Sequence, residues 1–183
     1  KFKEWMPEYK DATFILEENG DYICGFEVEK MSKSKYNVQT PDDLVYDFGA
    51  DTLRLYEMFL GPIEQSKPWD TKGISGVHNF LRKCWRLYCD SDGDSILSDD
   101  TPSKECMKTL HKAIKRIRED LNRYSLNTCV STYMIAVNEF TEQKCHNKEV
   151  LEQFIILLAP YAPHFCEELW EKIGNRAGTL YQS

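Results

Sequence analysis

No CxxC pair occurs among the seven cysteines, at positions 24, 84, 89, 106, 129, 145 and 166, and their number is odd. That excludes a disulfide-stapled framework. Most of them fall at apolar positions of helical patterns, as reduced intracellular thiols do, so a cytoplasmic protein is expected. Long hydrophobic runs are also missing: the longest, residues 154–163, is too short for a bilayer and is broken by Pro160. No targeting segment is visible, and a chain that opens on Lys1 rather than methionine is expected to be an excised fragment. Positive charge is scarce overall. With 23 Lys and Arg against 30 Asp and Glu the net charge is −7, and the pI is near 5.2. Indiscriminate nucleic-acid binding is thereby disfavoured, although a local basic strip on an acidic body is not. Cys145-His146, His164 and Cys166 offer four side chains of metal-ligand type without knuckle spacing, so no metal site is expected.

What is present begins with Lys30-Met31-Ser32-Lys33-Ser34, continued by Lys35, Tyr36 and Asn37. Several compact ammonium groups with hydroxyl donors between them suit a polyanion, most simply the phosphates of a nucleotide. Around this loop, residues 13–16 and 22–24 flank Asn19-Gly20, a two-residue hairpin signal. Downstream, Thr40-Pro41-Asp42-Asp43 reads as N-cap, first-turn proline and acidic first turn of a short helix stopped at Gly49. Asp51 reads as the cap of the next helix, which carries Leu53, Leu55, Tyr56 and Phe59 and ends at Gly61-Pro62. Arg54 is a candidate for a phosphate or a neighbouring carboxylate.

Beyond Pro62 the periodicity is helical throughout. Ser75 is a candidate N-cap for a stripe of Val77, Phe80, Leu81, Cys84, Trp85 and Tyr88. After a Ser/Asp/Gly-rich loop at 90–102, Met107, Leu110, Ile114, Ile117, Leu121 and Tyr124 step by threes and fours, the seam of a helix packed along a neighbour. Three further stripes follow. Cys129, Tyr133, Ala136, Val137 and Phe140 form one, and Val150, Leu151, Phe154, Ile155 and Leu158 the next. The last runs through Phe165, Cys166, Leu169, Trp170 and Ile173 after the turn at Pro160 and Pro163. The fold class expected is mainly α: a small β-hairpin and lysine-loop segment (1–62) followed by an antiparallel helical bundle (63–183). Between positions 104 and 123 seven basic residues face three acidic ones. Lys104, Lys108, Lys112, Lys115 and Arg116 recur every three or four positions beside the seam, a ridge suited either to RNA phosphates or to solvent. Trp69 and Trp85 are candidate base-stacking rings, with Trp85 expected inside.

The string Lys30 to Ser34 resembles the KMSKS signature of class I aminoacyl-tRNA synthetases, and Lys35 with Asn37 is similar to its leucyl version. Residues 48–55, Pro68-Trp69-Asp70, 76–88, 126–128, 158–164 and 167–170 resemble the rest of that segment and the helical anticodon-binding domain of the leucyl-tRNA synthetase family. The resemblance implies that Lys30, Met31, Ser32, Lys33, Ser34 and Lys35 bind ATP, with Lys33 the catalytic contact during adenylate formation. Magnesium would be held mainly by parts of the enzyme outside this chain. It implies tRNA(Leu), leucine and ATP as partners, neither membrane nor DNA, and an isolated segment that is inactive because no HIGH tetrapeptide, Rossmann-type half or editing domain is present. Tyr36 stands where that family commonly has glycine, and Tyr161 where it often has phenylalanine. Valyl and isoleucyl enzymes share the frame, and a non-catalytic helical RNA-binding module is the alternative from another class.

Overall fold

The computed structural model describes residues 2–25 and 27–182. It divides into two compact units, Lys1–Val38 and Gln39–Ser183.

In the first unit, helix α1 (Phe2–Trp5) leads into a 3-10 turn at Pro7–Tyr9. Phe2, Phe14 and Tyr22 meet edge to face, with ring centroids 5.8 and 5.3 Å apart along the chain of contacts. Residues 17–21 form the turn that Asn19-Gly20 foretells: Glu17 N–H donates to Asp21 O (2.8 Å), Gly20 N–H to Glu17 O (2.9 Å), and Gly20 has φ +85°. The flanking strands of the expected hairpin are not formed, however, and among the described residues none belongs to a strand. A lone two-stranded ribbon is marginal in water, and no described residue of this unit is buried to support one. Ile15, Ile23 and Val28 stand in solvent.

The second unit is helical. Helix α2 (Pro41–Phe48) starts at Thr40 with its proline in the first turn, and Gly49, at φ +88°, ends it in a conformation that only glycine adopts easily. Next come α3 (Ala50–Phe59), α4 (Ile74–Trp85), α5 (Lys104–Asn122), α6 (Leu126–Glu142), α7 (Lys148–Leu158) and α8 (Pro163–Lys172). Ser103 accepts Cys106 N–H at 3.1 Å and Asn147 accepts Val150 N–H at 3.1 Å, so α5 and α7 are capped by side chains. Helix α4 begins before the expected Ser75 cap. A turn in which Gly73 N–H donates to Asp70 O starts it at Ile74, placing Ser75 in the first turn. A Cβ at position 73 would come within 2.8 Å of the Tyr56 hydroxyl, so any other residue there would have to displace that ring.

The stripes read from the sequence converge on one core. Leu55, Ile74, Val77, Cys84, Leu110, Ile117, Val137, Phe140, Leu151, Phe154 and Leu158 are all buried. Phe140 and Phe154 meet at 5.4 Å and 81°, and Tyr133 and Tyr161 at 5.3 Å and 67°, edge-to-face pairs worth about 1 kcal/mol each beyond area burial. The buried phenols are satisfied: Tyr88 donates to Leu151 O (2.9 Å) and Tyr133 to Leu157 O (2.7 Å). The hydroxyl that distinguishes Tyr161 from phenylalanine donates to Leu126 O at 3.3 Å. The seam of α5 frays at its end, where Leu121 and Tyr124 are exposed; the helix stops at Asn122 and Tyr124 turns the chain at φ +55°. Among the described residues, no helix is long and apolar enough to cross a membrane.

Candidate functional site

The lysine loop lies in the first unit. Ser32 is extended (φ −152°, ψ 149°), and Lys33–Lys35 form one 3-10 turn in which Lys35 N–H donates to Ser32 O (3.1 Å) and Tyr36 N–H to Lys33 O (3.2 Å). Tyr36 closes the turn in the left-handed region at φ +53°, the conformation for which glycine carries no steric cost. Asn37 then reaches back across the loop. Its Oδ1 accepts Ser32 N–H (2.8 Å) and its Nδ2 donates to Lys30 O (3.4 Å). Ser32 and Ser34 share a hydroxyl hydrogen bond at 3.2 Å.

These contacts sort the three ammonium groups. Lys35 is paired with Glu29 at 2.5 Å, so its charge is partly neutralised. Lys30 and Lys33 are exposed and form no ion pair among the described residues. An exposed ammonium without an internal partner keeps its field for a ligand.

The basic ridge lies in the second unit. Lys104, Lys108, Lys112, Lys115 and Arg116 are all exposed on α5, opposite the buried face that carries Cys106, Thr109, Leu110, Ala113 and Ile117. Toward the C-terminal end the ridge borders a groove of about 620 Å³ whose lining also includes Glu119, Asp120 and Glu139. Lys115 approaches Glu119 at 4.0 Å, and Arg123 is bound to Asp120. The positive field of the ridge is thus tempered at its C-terminal end.

Several side chains take roles other than those expected. Asp51 is not the cap of its own helix. Gly49 stands at that position, and the buried Asp51 carboxylate instead accepts Phe165 N–H (2.6 Å) and faces His164 Nδ1 (2.9 Å), capping α8. Arg54 forms no ion pair with a carboxylate among the described residues and donates to Pro160 O at 3.1 Å. Trp69 is half-buried, in an edge-to-face contact with Tyr56 at 5.2 Å and with its indole N–H on the Thr71 hydroxyl. Trp85 is half-buried against Phe165 rather than fully inside. Of the residues weighed as metal ligands, His146 bonds Leu87 O, His164 meets Asp51, and Cys145 and Cys166 are buried. Among the described residues no three His, Cys, Asp or Glu side chains are grouped to hold an ion.

Two features escaped the sequence. Asn37 as a clasp had one faint signal, its place two positions beyond the last loop lysine. A second basic surface joins Arg82, Lys83 and Arg86 at the end of α4 to Lys144 and His146; the first three are close in sequence, but the last two stand about sixty positions on, and nothing in the sequence brings them together.

Residues 103–183 match the family described as the anticodon-binding domain of tRNA ligase. The chain is 60% identical over 174 residues to the leucine–tRNA ligase of Christiangramia forsetii, covering 95% of this chain and 18% of that protein. It is 57% identical over 176 residues to that of Flavobacterium johnsoniae, covering 96% and 18%. To that of Phocaeicola vulgatus it is 59% identical over 174 residues, covering 95% and 18%. It therefore spans about a fifth of the length of the relatives it matches. Among solved structures, the ternary complex of Agrobacterium radiobacter K84 agnB2 LeuRS with tRNA and LeuAMS aligns with a TM-score of 0.64 at 25% identity, covering 82% of this chain and 22% of that one.

Proposed function

We propose, from the premise that this chain is a segment of the leucyl-tRNA synthetase family, that it supplies the ATP-phosphate loop and a tRNA-gripping helical domain to a cytoplasmic enzyme that joins leucine to tRNA(Leu). The activity belongs to the longer protein. The observation that carries the reading is the sorted lysine loop: Lys33 exposed and uncommitted, Lys35 tied to Glu29, and the turn clasped by Asn37.

In the first step a leucine carboxylate oxygen bonds to the α-phosphorus of ATP as the bond to pyrophosphate breaks, the electron pair leaving with pyrophosphate. Charge grows on the phosphate oxygens. An ammonium that tightens its contact only then lowers the barrier selectively, and this role falls to Lys33. Lys30, Ser32 and Ser34 shape the loop, Met31 belongs to the same phosphate-binding stretch, and Lys35 adds field. Magnesium is assigned mainly to the rest of the enzyme, and Glu29 beside the loop is paired with Lys35. Residues 1–62 then form the end of the catalytic domain, and 63–183 form the tRNA-binding domain. Helices α2 and α3 precede that boundary in sequence yet pack with the helical unit.

Lys33→Ala in the intact enzyme is expected to lower leucine-dependent pyrophosphate exchange about a hundredfold, near 3 kcal/mol. Unchanged exchange removes Lys33 from the chemistry. For the helical domain, neutralising Lys104, Lys108 and Lys112 is expected to weaken tRNA binding evenly across sequences and to flatten the salt dependence by about one unit per lost contact. A larger effect from a single anticodon base change would instead indicate base readout.

A further inference from the structure

We propose that a second face of the helical unit, the cleft between the C-terminal half of α4 and the α6–α7 junction, seats the phosphodiester backbone of RNA. The inference rests on the tRNA reading above and places a principal grip away from the α5 ridge.

The cleft encloses about 530 Å³, and its walls carry Arg82, Lys83 and Arg86 from α4 with Lys144 and His146 from the junction. No carboxylate lines it, whereas the groove beside the ridge is lined by Glu119, Asp120 and Glu139. In a chain of net charge −7, four permanent cations around one hollow repel each other without an internal counter-charge, and an external polyanion relieves that repulsion.

Neutral partners hold the cleft in shape. Lys83 Nζ donates to Asn138 Oδ1 at 2.7 Å, which orients the ammonium without cancelling its charge. His146 is anchored twice. Its Nδ1 donates to Leu87 O at 3.0 Å, leaving Nε2 as the other ring nitrogen, and its carbonyl accepts Ser98 N–H at 2.8 Å. Lys144 ends α6 at φ +51°, its N–H on Thr141 O. Such preorganisation lowers the ordering cost on binding.

A chain of phosphates, rather than a single one, fits the extent of the charge. Arg82 and Arg86 stand one turn apart, about 6 Å along the helix axis, and both are exposed. They also line the adjoining hollow beside Trp85 and Cys89, where the lining adds Asp90 and no further cation, so the cationic stretch ends at these two arginines. Planar guanidinium forks bind phosphate oxygens in pairs.

The test uses this 183-residue chain and a tRNA(Leu) transcript over a salt series. The double variant Arg82→Gln with Arg86→Gln is expected to bind at least about tenfold more weakly and to lose about two units of salt slope, while Arg82→Lys with Arg86→Lys keeps most of the slope. Matched thermal melts separate lost contacts from lost folding. If the cleft variant binds like the parent while Lys104→Gln with Lys108→Gln weakens binding, this inference falls and the tRNA reading stands. If the parent chain does not bind tRNA at all, both fall. If inorganic phosphate protects the backbone amides of residues 82–86 and 144–146 from hydrogen exchange and tRNA does not, the cleft serves a small anion and the proposal is overturned.

Discussion

Asp51 caps a helix that begins more than a hundred residues later: its Oδ2 accepts Phe165 N–H at 2.6 Å while its Oδ1 faces His164 Nδ1 at 2.9 Å. Helix α8 has no side-chain cap of its own, since Ala162 occupies that position. The carboxylate is buried, whereas the His164 side chain is 77% exposed, so the weight of the contact lies on the backbone N–H. Asp51→Ala is expected to cost about 2 kcal/mol, and Asp51→Asn about half of that. Urea midpoints of the two variants check it; a variant indistinguishable from the parent would remove the cross-helix cap.

Asp120 couples α5 to α6 and titrates with folding. Burial by itself would raise its pKa, but the Thr128 hydroxyl (2.6 Å) and the Arg123 guanidinium, both hydrogen-bonded to the carboxylate, outweigh that and hold it below its ordinary value. A carboxyl whose folded pKa is depressed stabilises the fold above its unfolded pKa, near 4, and that contribution is lost as pH falls through the lower folded value. Asp120→Asn should therefore flatten the acid limb of stability below about pH 4. Thr128→Val should cost about 1 kcal/mol at neutral pH and shift the limb upward. Denaturant midpoints measured from neutral pH into acid report both.

Thiol reactivity should single out one cysteine. Cys24 is exposed and the other six are buried. Burial pushes the thiols of Cys84 and Cys166 well above their usual range and that of Cys145 up to about 12, which suppresses the reactive thiolate. With an aromatic disulfide reagent at neutral pH, one thiol should react quickly in the native chain and all seven after denaturation. Rapid reaction of two or more in the native chain would contradict the packing of the helical unit.

Asn37 offers a test of the loop that leaves every lysine in place. Asn37→Ala removes both bonds that draw Lys30 and Ser32 together and is expected to raise KM for ATP in the intact enzyme several-fold. Asn37→Asp keeps an acceptor for Ser32 N–H but loses the donor to Lys30 O and sets a negative charge among the lysines, so it should be the more damaging. Equal ATP kinetics in all three proteins would show that the clasp plays no part in nucleotide binding.

Helix content, stripe positions and the lysine string were legible because each depends on neighbours within a few residues. Leu110 and Ile117 are buried as their spacing requires, and Thr40-Pro41 starts a helix as its residue types require. The hairpin was only half legible. Asn19-Gly20 turns the chain, but strands need a ladder partner and a buried face, and residues 13–16 and 22–24 have neither. Within the candidate sites, the residue types of the loop and ridge could be read directly. That Lys35 is spent on Glu29 while Lys33 is not, and that Glu119 and Glu139 temper one end of the ridge, could not.

The chain's own order of residues decides where helices run and which face of each is apolar, since a period of 3.6 is a local property of the backbone. Whose N–H the Asp51 carboxylate meets, and which cations Lys144 joins, was decided by the tertiary structure alone. Those partners lie tens of residues or more away, and only the packing of apolar faces brings them within hydrogen-bond or Coulomb range.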